Sequence, residues 1–198
     1  MDKESIRKNL LQKRKETKIP AKDSVDTAIK KQILEQKAFI KAKRIAAYFG
    51  VNGEFDPMPL LHLAHQMGKD CFLPVIHPFM EGKLLFVKWS PESQLKENQF
   101  KIPEPIIHKS SICSPQFLNL ILIPLLGFNL RCHRLGMGGG YYDQTLEFRK
   151  RRKSWIGPKF FGLGYEYQLE NSFQENEWDI RLDSIFTGKR IYSNLEEK

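Results

Sequence analysis

The chain has 198 residues, a formal net charge of +9 and three cysteines. That length suits one domain whose core is large enough to need no disulfide, and the odd number of cysteines without metal-ligand spacing excludes a zinc site and favours reduced thiols in the cytoplasm. No signal peptide opens the sequence and no apolar run approaches the roughly 18 residues that cross a bilayer, so we expect a soluble cytoplasmic protein.

Basic residues are concentrated in two places. Residues 1–45 carry 14 Lys/Arg against 6 Asp/Glu, and residues 149–153 add five more cations. Such a balance fits nucleic acid, an anionic membrane surface, a polyanionic small molecule or solvated helix faces. Neither a helix-turn-helix pattern nor the aromatic and basic interleaving of RNA-binding sheets accompanies the charge. We therefore favour solvated faces and expect no nucleic-acid or membrane partner.

Two helices are predicted at the start of the chain. Residues 3–17 have the spacing of a basic amphipathic helix, and Ser24 is placed to cap a second helix that carries apolar residues from 28 to 38. We expect both to be layer helices on a sheet.

A strand and a polar loop follow. Residues 44–49 predict a short buried strand, and residues 51–56 a loop before a helix that Pro57 or Pro59 opens. Glu54 thus lies at the carboxyl end of a strand, which is the edge where open α/β sheets bind ligands.

The run 118–124 is continuously apolar, which indicates a central strand with both faces covered. Residues 90–116 contain four prolines and predict an extended loop. We therefore predict an α/β fold: a single three-layer domain over residues 1–198, with a mostly parallel central sheet flanked by helices, Rossmann-like. The further predicted strands are residues 71–76, 84–88, 160–163 and 184–187.

The most informative segment is Arg134-Leu-Gly-Met-Gly-Gly-Gly-Tyr-Tyr-Asp143, which we expect to join a buried strand to a helix. Its four glycines permit positive φ, so successive N–H groups can converge on a phosphate, while Arg134 supplies charge and Asp143 can hold a cation. It is neither a Walker loop nor a dinucleotide fingerprint. The alternative is a glycine-rich turn without a ligand.

This segment, preceded by Pro124-Leu-Leu-Gly-Phe128, resembles the signature of the 5-formyltetrahydrofolate cyclo-ligase (methenyltetrahydrofolate synthetase) family. The resemblance covers nearly the whole chain. The other segments that carry it are Ile45-Ala-Ala-Tyr-Phe-Gly50, Glu54, Lys69-Asp-Cys-Phe-Leu-Pro74, Gly162-Leu-Gly164, Gln168-Leu169, Glu177-Trp-Asp179, Asp183 and Thr187.

The resemblance implies ATP-dependent cyclisation of 5-formyltetrahydrofolate to 5,10-methenyltetrahydrofolate, with release of ADP and phosphate, through a phosphorylated formyl (imidate phosphate) intermediate. It implies ATP and Mg²⁺ as cofactors, a folate substrate that can be polyglutamylated, and a monomer. The implied residues are Arg134 and Tyr141 for catalysis; Lys3, Arg7, Arg134, Gly136, Met137, Gly138, Gly139, Gly140, Tyr141 and Tyr142 for ATP; Phe49, Glu54, Met137, Gly138, Gly140 and Tyr141 for the substrate; and Asp143 and Asp179 for the metal.

Three positions depart from the family pattern. Asn119 and Asn129 stand where the family usually has Asp, and Cys132 stands where it usually has Gly. If position 132 needs positive φ, Cys132 carries roughly 1 kcal/mol or more of backbone strain. These departures leave open an alternative function, a nucleotide- or RNA-binding module that keeps the glycine-rich loop without catalysis. Phe55 and Trp89 are further aromatic candidates for packing against the pterin, although Phe49 and Trp89 suit the core equally well.

Overall fold

The computed structural model describes residues 2–17, 22–151 and 157–193, so the end of the basic run at 149–153 lies outside it. Its helices are α1 (Lys3–Glu16), α2 (Lys22–Leu34), α3 (Lys37–Lys41), α4 (Met58–Gln66), α5 (Tyr141–Thr145) and α6 (Phe148–Arg151). Its strands are β1 (Arg44–Ala46), β2 (Asp70–Ile76), β3 (Leu84–Trp89), β4 (Leu95–Glu97), β5 (Pro103–Pro105), β6 (Ile112–Cys113), β7 (Leu120–Pro124), β8 (Gly127–Phe128), β9 (Arg134–Leu135), β10 (Lys159–Leu163), β11 (Ser184–Phe186) and β12 (Ile191–Ser193). None of the described helices has the length and apolarity to span a bilayer.

Eight strands form one central sheet in the order β12-β11-β10-β7-β1-β2-β3-β6. The five strands from β11 to β2 are parallel, whereas β12 on one side and β3 and β6 on the other pair antiparallel. The hairpins β4-β5 and β8-β9 form two separate small sheets. The predicted fold class, an α/β fold with a mostly parallel sheet flanked by helices, is confirmed.

Strand β7 shows why both faces of the sheet are covered. Leu120 and Leu122 belong to one core cluster, together with side chains of α2, α3 and α4. Ile121 and Ile123 belong to a second cluster, which includes Phe128 of the hairpin β8-β9. Successive residues of a strand point to opposite faces, so a continuously apolar strand is buried on both. The prediction of a central strand within residues 118–124 is confirmed.

Helix α1 does not lie on a face of the sheet, where a layer helix was expected. Its Ile6 and Leu10 form a small third cluster with Leu126, Leu135 and Phe173. Leu126 follows the carboxyl end of β7 and Leu135 belongs to β9, so α1 packs over the ends of strands. The helix therefore lies at the edge of the sheet where the polar loops meet.

The second predicted helix is two helices in the structure. Helix α2 ends at Leu34, and Ala38 belongs to the separate helix α3, in which the predicted apolar pattern continues. Helix α2 begins at Lys22, which places Ser24 inside the first turn and makes its prediction as the N-cap wrong. The short polar side chain is equally at home in the first turn, so the pattern did not fix the boundary.

The segment 90–116 is more ordered than the predicted extended loop. It contains β4 and β5, which pair with each other, and β6, which pairs with β3. Pro103 and Pro105 both lie in β5, and a two-stranded ladder has only edge strands, in which a missing N–H need not break a ladder bond. Two of the four prolines that predicted a loop therefore lie in a strand of a two-stranded hairpin.

The hairpin β8-β9 intervenes between β7 and the glycine-rich loop, which were expected to be adjacent. In its turn the side-chain oxygen of Asn129 accepts hydrogen bonds from the N–H groups of Arg131, at 3.1 Å, and His133, at 3.0 Å. Cys132 has a φ of 60°. The family usually has glycine at this position, and this φ is the positive value that would strain a cysteine there. The amide oxygen of Asn129 supplies the acceptor that a carboxylate would, so the turn forms despite both departures.

The turn at Cys132 predicts an inverted order of stability between two variants. Cys132→Ala removes the fully buried thiol and keeps the strained φ, whereas Cys132→Gly removes the thiol and releases the strain. We expect the glycine variant to be more stable than the alanine variant by about 1 kcal/mol, the reverse of the order at ordinary positions. Urea unfolding measures the difference, and a more stable alanine variant would contradict the strain.

Candidate active site

The glycine-rich loop, residues 136–140, connects β9 to α5. Gly138 has a φ of 104°, and Gly140, which is the N-cap of α5, has a φ of 65°. Side chains with a Cβ adopt these values only with strain, so the loop needs glycine at both positions. Its backbone is thereby free to turn N–H groups toward a common ligand.

Arg134 is buried directly before this loop. Its Nη2 donates to Oδ2 of Asp143 at 2.8 Å, and its guanidinium lies over the ring of Tyr142, 5.5 Å from the ring centroid. The Nε atom is buried and has no hydrogen-bond partner among the described residues. The planar guanidinium is thus fixed on one edge and retains a donor for a ligand.

Asp143, in the first turn of α5, is held by two groups. Oδ2 accepts from Arg134, and Oδ1 accepts from the backbone N–H of Ile180 at 2.9 Å. The second contact joins α5 to the loop that contains Asp179. The two carboxylates predicted as metal ligands are therefore brought into one region by neighbouring backbone.

Asp179 is paired with the N-terminal helix. Its Oδ2 accepts from Nζ of Lys3 at 2.6 Å and from the backbone N–H of Asn176 at 2.8 Å. Both side chains of the ion pair are mostly buried, with 20% and 14% of their surfaces exposed. Among the described residues no group of three or more His, Cys, Asp or Glu side chains could hold a metal, so an ion here would need ligands beyond these two carboxylates.

Arg7 joins α1 to the glycine-rich loop. Its Nε donates to the carbonyl oxygen of Gly136 at 3.0 Å, and its guanidinium lies close to Gly138. Arg7 therefore contacts the loop and Arg134 precedes it, while Lys3, from the same helix as Arg7, contacts Asp179. Such a concentration of positive charge around exposed backbone suits an anion with several negative oxygens.

Glu54 lies in the loop after β1, and its side chain is only 12% exposed. Its Oε1 accepts from Nη1 of Arg14 at 3.4 Å, and its Oε2 accepts from the backbone N–H of Val51 at 3.3 Å. Burial is the largest influence on its pKa and raises it, while Arg14 opposes that rise. Arg14 also donates to the carbonyl oxygen of Leu125 at 2.8 Å, which ties Glu54 to the carboxyl end of β7.

A model of the 5-formyltetrahydrofolate cyclo-ligase family matches residues 1–188. The chain belongs to this family. It is 35% identical to the 5-formyltetrahydrofolate cyclo-ligase of Haemophilus influenzae over 158 residues, 79% of this chain and 80% of that one. It is also 35% identical to the Escherichia coli K12 cyclo-ligase over 155 residues, 77% of this chain and 82% of that one.

Two solved structures share the fold along nearly the whole chain. The NMR structure of 5,10-methenyltetrahydrofolate synthetase from Aquifex aeolicus has a TM-score of 0.82 and 25% identity, covering 100% of this chain and 95% of that one. The synthetase from Mycoplasma pneumoniae has a TM-score of 0.72 and 25% identity, covering 95% of this chain and 99% of that one. The similarity to these two structures therefore extends over nearly the whole chain and is not confined to the glycine-rich loop.

A pocket of about 470 Å³ opens beside the loop of this cyclo-ligase family member. The ring of Tyr141 meets that of Phe100 edge to face, with centroids 6.2 Å apart. Sequence reasoning missed Phe100, because one aromatic in a proline-rich segment carries no signal of its own. The pocket is lined by Glu81, Gly82, Phe100, Gly139, Tyr141 and Gln144.

Two of the aromatic candidates for the pterin are core residues. Phe55 and Trp89 are 1% and 4% exposed and belong to the large cluster on one face of the sheet. Because core packing encloses both side chains, the prediction that Phe55 contacts the pterin is wrong, and for Trp89 the core alternative is confirmed. Phe49 is partly buried against the same cluster, and Met137 is largely exposed at the loop.

Proposed function

We propose that this chain catalyses the ATP-dependent cyclisation of 5-formyltetrahydrofolate to 5,10-methenyltetrahydrofolate, with release of ADP and phosphate. The observation that carries the proposal is the glycine-rich loop, which Arg7 contacts and Arg134 precedes, in a chain that belongs to the 5-formyltetrahydrofolate cyclo-ligase family. The predicted Rossmann-like domain over residues 1–198 is proposed to act as one unit.

The reaction needs activation of a poor leaving group. The formyl oxygen attacks the γ-phosphorus of ATP, ADP leaves, and the formyl group becomes an imidate phosphate. N10 of the same folate then attacks the formyl carbon and gives up its proton, and phosphate departs with the former formyl oxygen. The protein therefore has to align two substrates, balance phosphate charge and exclude water, and it needs no nucleophilic side chain.

Arg134 is proposed to bind phosphate oxygens. Its buried Nε without a partner supports the role, since a buried donor without a partner is costly unless a ligand completes it. Lys3 and Arg7 reach the same region from α1 and are proposed as further ATP contacts. The backbone of Gly136–Gly140, with Met137, Tyr141 and Tyr142, is proposed to complete the ATP site.

Asp143 and Asp179 are proposed to hold Mg²⁺. Two carboxylates without a third fit an ion that completes its coordination with waters and substrate phosphates, as Mg²⁺ ordinarily does. Bound there, Mg²⁺ would neutralise negative charge on the transferred phosphate. The hydrogen bond from the backbone N–H of Ile180 to Asp143 joins α5 to the loop that contains Asp179.

Glu54 is proposed to bind the folate ring. A carboxylate can accept paired donors from the amino-pyrimidine edge, and both of its oxygens retain acceptor capacity after the contacts from Arg14 and Val51. Tyr141 and Phe100 offer a partly apolar pocket next to the loop for a flat ring system. Phe49, Met137, Gly138 and Gly140 are proposed as the remaining substrate contacts.

The proposal also covers the oligomeric state, the cellular location and the binding of the substrate tail. The chain is proposed to act as a monomer, and to act in the cytoplasm, a reducing compartment that its free cysteines suit. The basic residues either of α1 or of the run that begins at Arg149 are proposed to attract the anionic tail of polyglutamylated folates. Raising the salt concentration should then weaken binding of polyglutamylated substrate more than binding of the monoglutamate.

One spectrophotometric experiment separates catalysis from binding alone. The methenyl product absorbs near-ultraviolet light where 5-formyltetrahydrofolate does not, so its formation is followed directly. We expect absorbance to rise with enzyme, ATP, Mg²⁺ and substrate together, and to stay flat when ATP is omitted. Nucleotide binding without product, under conditions where the fold is intact, would instead favour the binding module.

A further inference from the structure

Arg14 is a buried charged residue on α1 that the family resemblance did not single out. Only 4% of its side chain is exposed. Nη2 donates to the carbonyl oxygen of Leu125 at 2.8 Å, and Nη1 reaches Oε1 of Glu54 at 3.4 Å. Gly53 lies over its aliphatic stem, where an added Cβ would be 3.4 Å from Cγ. One guanidinium thus joins α1, the end of β7 and the loop that carries Glu54.

Stability alone is a weak reason for such a pair. Removing two charges from water costs free energy that their attraction often fails to recover, and well-packed apolar residues can be as stable. The pair does, however, partly offset the effect of burial on the pKa of the carboxylate. Burial raises the pKa of Glu54, and the nearby guanidinium is the largest opposing influence, which favours the ionised form.

The contacts to Glu54 approach from within the protein. Arg14 occupies part of Oε1 and the Val51 N–H part of Oε2, while a carboxylate has about four lone-pair sites. Each oxygen therefore keeps acceptor capacity, and the side chain remains 12% exposed. The contacts from Arg14 and Val51 therefore leave acceptor sites on both oxygens of the carboxylate for a ligand.

The position of Arg14 on its helix supports a link to the substrates. Lys3, Arg7 and Arg14 fall within roughly 40° of one another around the helix axis at 3.6 residues per turn. Lys3 contacts Asp179 and Arg7 contacts Gly136, so the same face of α1 that borders the glycine-rich loop also reaches Glu54.

We propose that Arg14 is a positioning residue for the folate: it holds the Glu54 carboxylate in place as the acceptor of the pyrimidine N–H donors. The inference rests on the folate-binding role that "Proposed function" gives to Glu54. Arg14 itself contacts no substrate in this scheme and acts through Glu54 alone. Loss of Arg14 should therefore impair folate binding and leave ATP binding largely unchanged.

A double-mutant cycle tests the proposal. The variants are Arg14→Met, Glu54→Gln and the two together, with Lys31→Met, which removes an exposed cation from α2, as the control. We expect Arg14→Met to raise KM for 5-formyltetrahydrofolate about tenfold or more, the size expected for a lost charge-assisted contact, with KM for ATP within about twofold. The double variant should be no worse than Glu54→Gln, and Lys31→Met should match the wild type.

Specific outcomes would overturn the proposal. Additive effects of the two substitutions, or equal increases in both KM values, would assign Arg14 a structural role only. If Glu54→Gln leaves KM for the folate unchanged while the enzyme turns over normally, the assignment of Glu54 fails and the proposal fails with it. Absence of turnover in the wild type would instead refute the proposed function itself.

Arg14→Lys keeps the test decisive if Arg14→Met fails to fold. Its compact ammonium retains the charge but cannot contact Glu54 and the Leu125 carbonyl with the forked geometry of a guanidinium. We expect a smaller rise in KM for the folate than in Arg14→Met. A rise as large as that of Glu54→Gln in this charge-retaining variant, shared by KM for ATP, would contradict the positioning role.

The pH profile gives a second readout. Glu54 must be ionised to accept two donors, so kcat/KM for the folate falls as pH drops through its pKa. The groups that face it are Arg14, Tyr48, Tyr142 and Tyr167, of which only Arg14 is a cation. Removing Arg14 raises the pKa of Glu54, so the acid limb should move to higher pH; an unmoved limb would contradict the proposal.

Discussion

Asp143→Asn is expected to lower kcat by about two orders of magnitude or more, because a metal that neutralises phosphate charge contributes several kcal/mol to the transition state. Asparagine is the suitable replacement because its carbonyl oxygen can still accept the Ile180 N–H that Oδ1 accepts now. The substitution therefore removes the negative charge while retaining the link between α5 and the loop that contains Asp179. Alanine would remove both.

The Mg²⁺ dependence of the rate distinguishes a metal ligand from a mere partner of Arg134. As a ligand, Asp143→Asn should raise the Mg²⁺ concentration needed for half-maximal activity. Asp70→Asn is the matched control, since Asp70 is a half-exposed carboxylate that begins β2, at the opposite end of the parallel strands, and is paired with Lys88. Near-normal kcat, or an unchanged Mg²⁺ requirement, would remove Asp143 from the metal site.

Arg134→Met is expected to reduce kcat about a thousandfold, with a smaller change in KM for ATP. A fixed cation that balances charge developing on a transferred phosphoryl group typically contributes at this level, and it acts mainly in the transition state. Arg134→Lys should lie between the variant and the wild type, because it keeps the charge but loses the planar fork. Steady-state kinetics with both substrates measure the split.

Arg131→Met provides the matched control for Arg134. Arg131 lies three residues earlier on the same hairpin, and its pair with Glu175 is 60% exposed on the arginine side, where such pairs contribute little. It should retain wild-type kinetics. Thermal unfolding of both variants checks the fold, because Arg134 also links β9 to α5 through Asp143. A rise in KM for ATP with unchanged kcat would show that Arg134 binds the ground state only.

Periodicity predicted the sheet well because burial on two faces leaves a strong trace in sequence. The apolar run at β7, together with the predicted helices, gave the α/β class, and the loop after the strand predicted at residues 44–49 gave the edge at which Glu54 lies. Helix boundaries were less predictable, since Ser24 suits the first turn as well as a cap. The motif from Arg134 to Asp143 identified the region of the site, but the hairpin before it left no clear signal.

Long-range pairing explains what sequence reasoning missed. Arg14 looked like one of many cations on a basic helix, and only the folded chain shows its guanidinium between Leu125 and Glu54. Phe100 reached the loop through the hairpin β4-β5, more than 40 residues before Tyr141 in sequence. In contrast, Phe55 and Trp89 had the chemistry of ring-binding residues but were needed for the core.

The separate packing of α1 has a consequence for the enzyme under mild denaturing conditions. Its apolar contacts form a small cluster apart from the two that cover the sheet, yet it carries Lys3, Arg7 and Arg14 together. Partial opening of a weakly packed element precedes global unfolding in many proteins. Catalysis should therefore disappear at urea concentrations at which the far-ultraviolet signal of the sheet is still native, and ATP with folate should delay that loss.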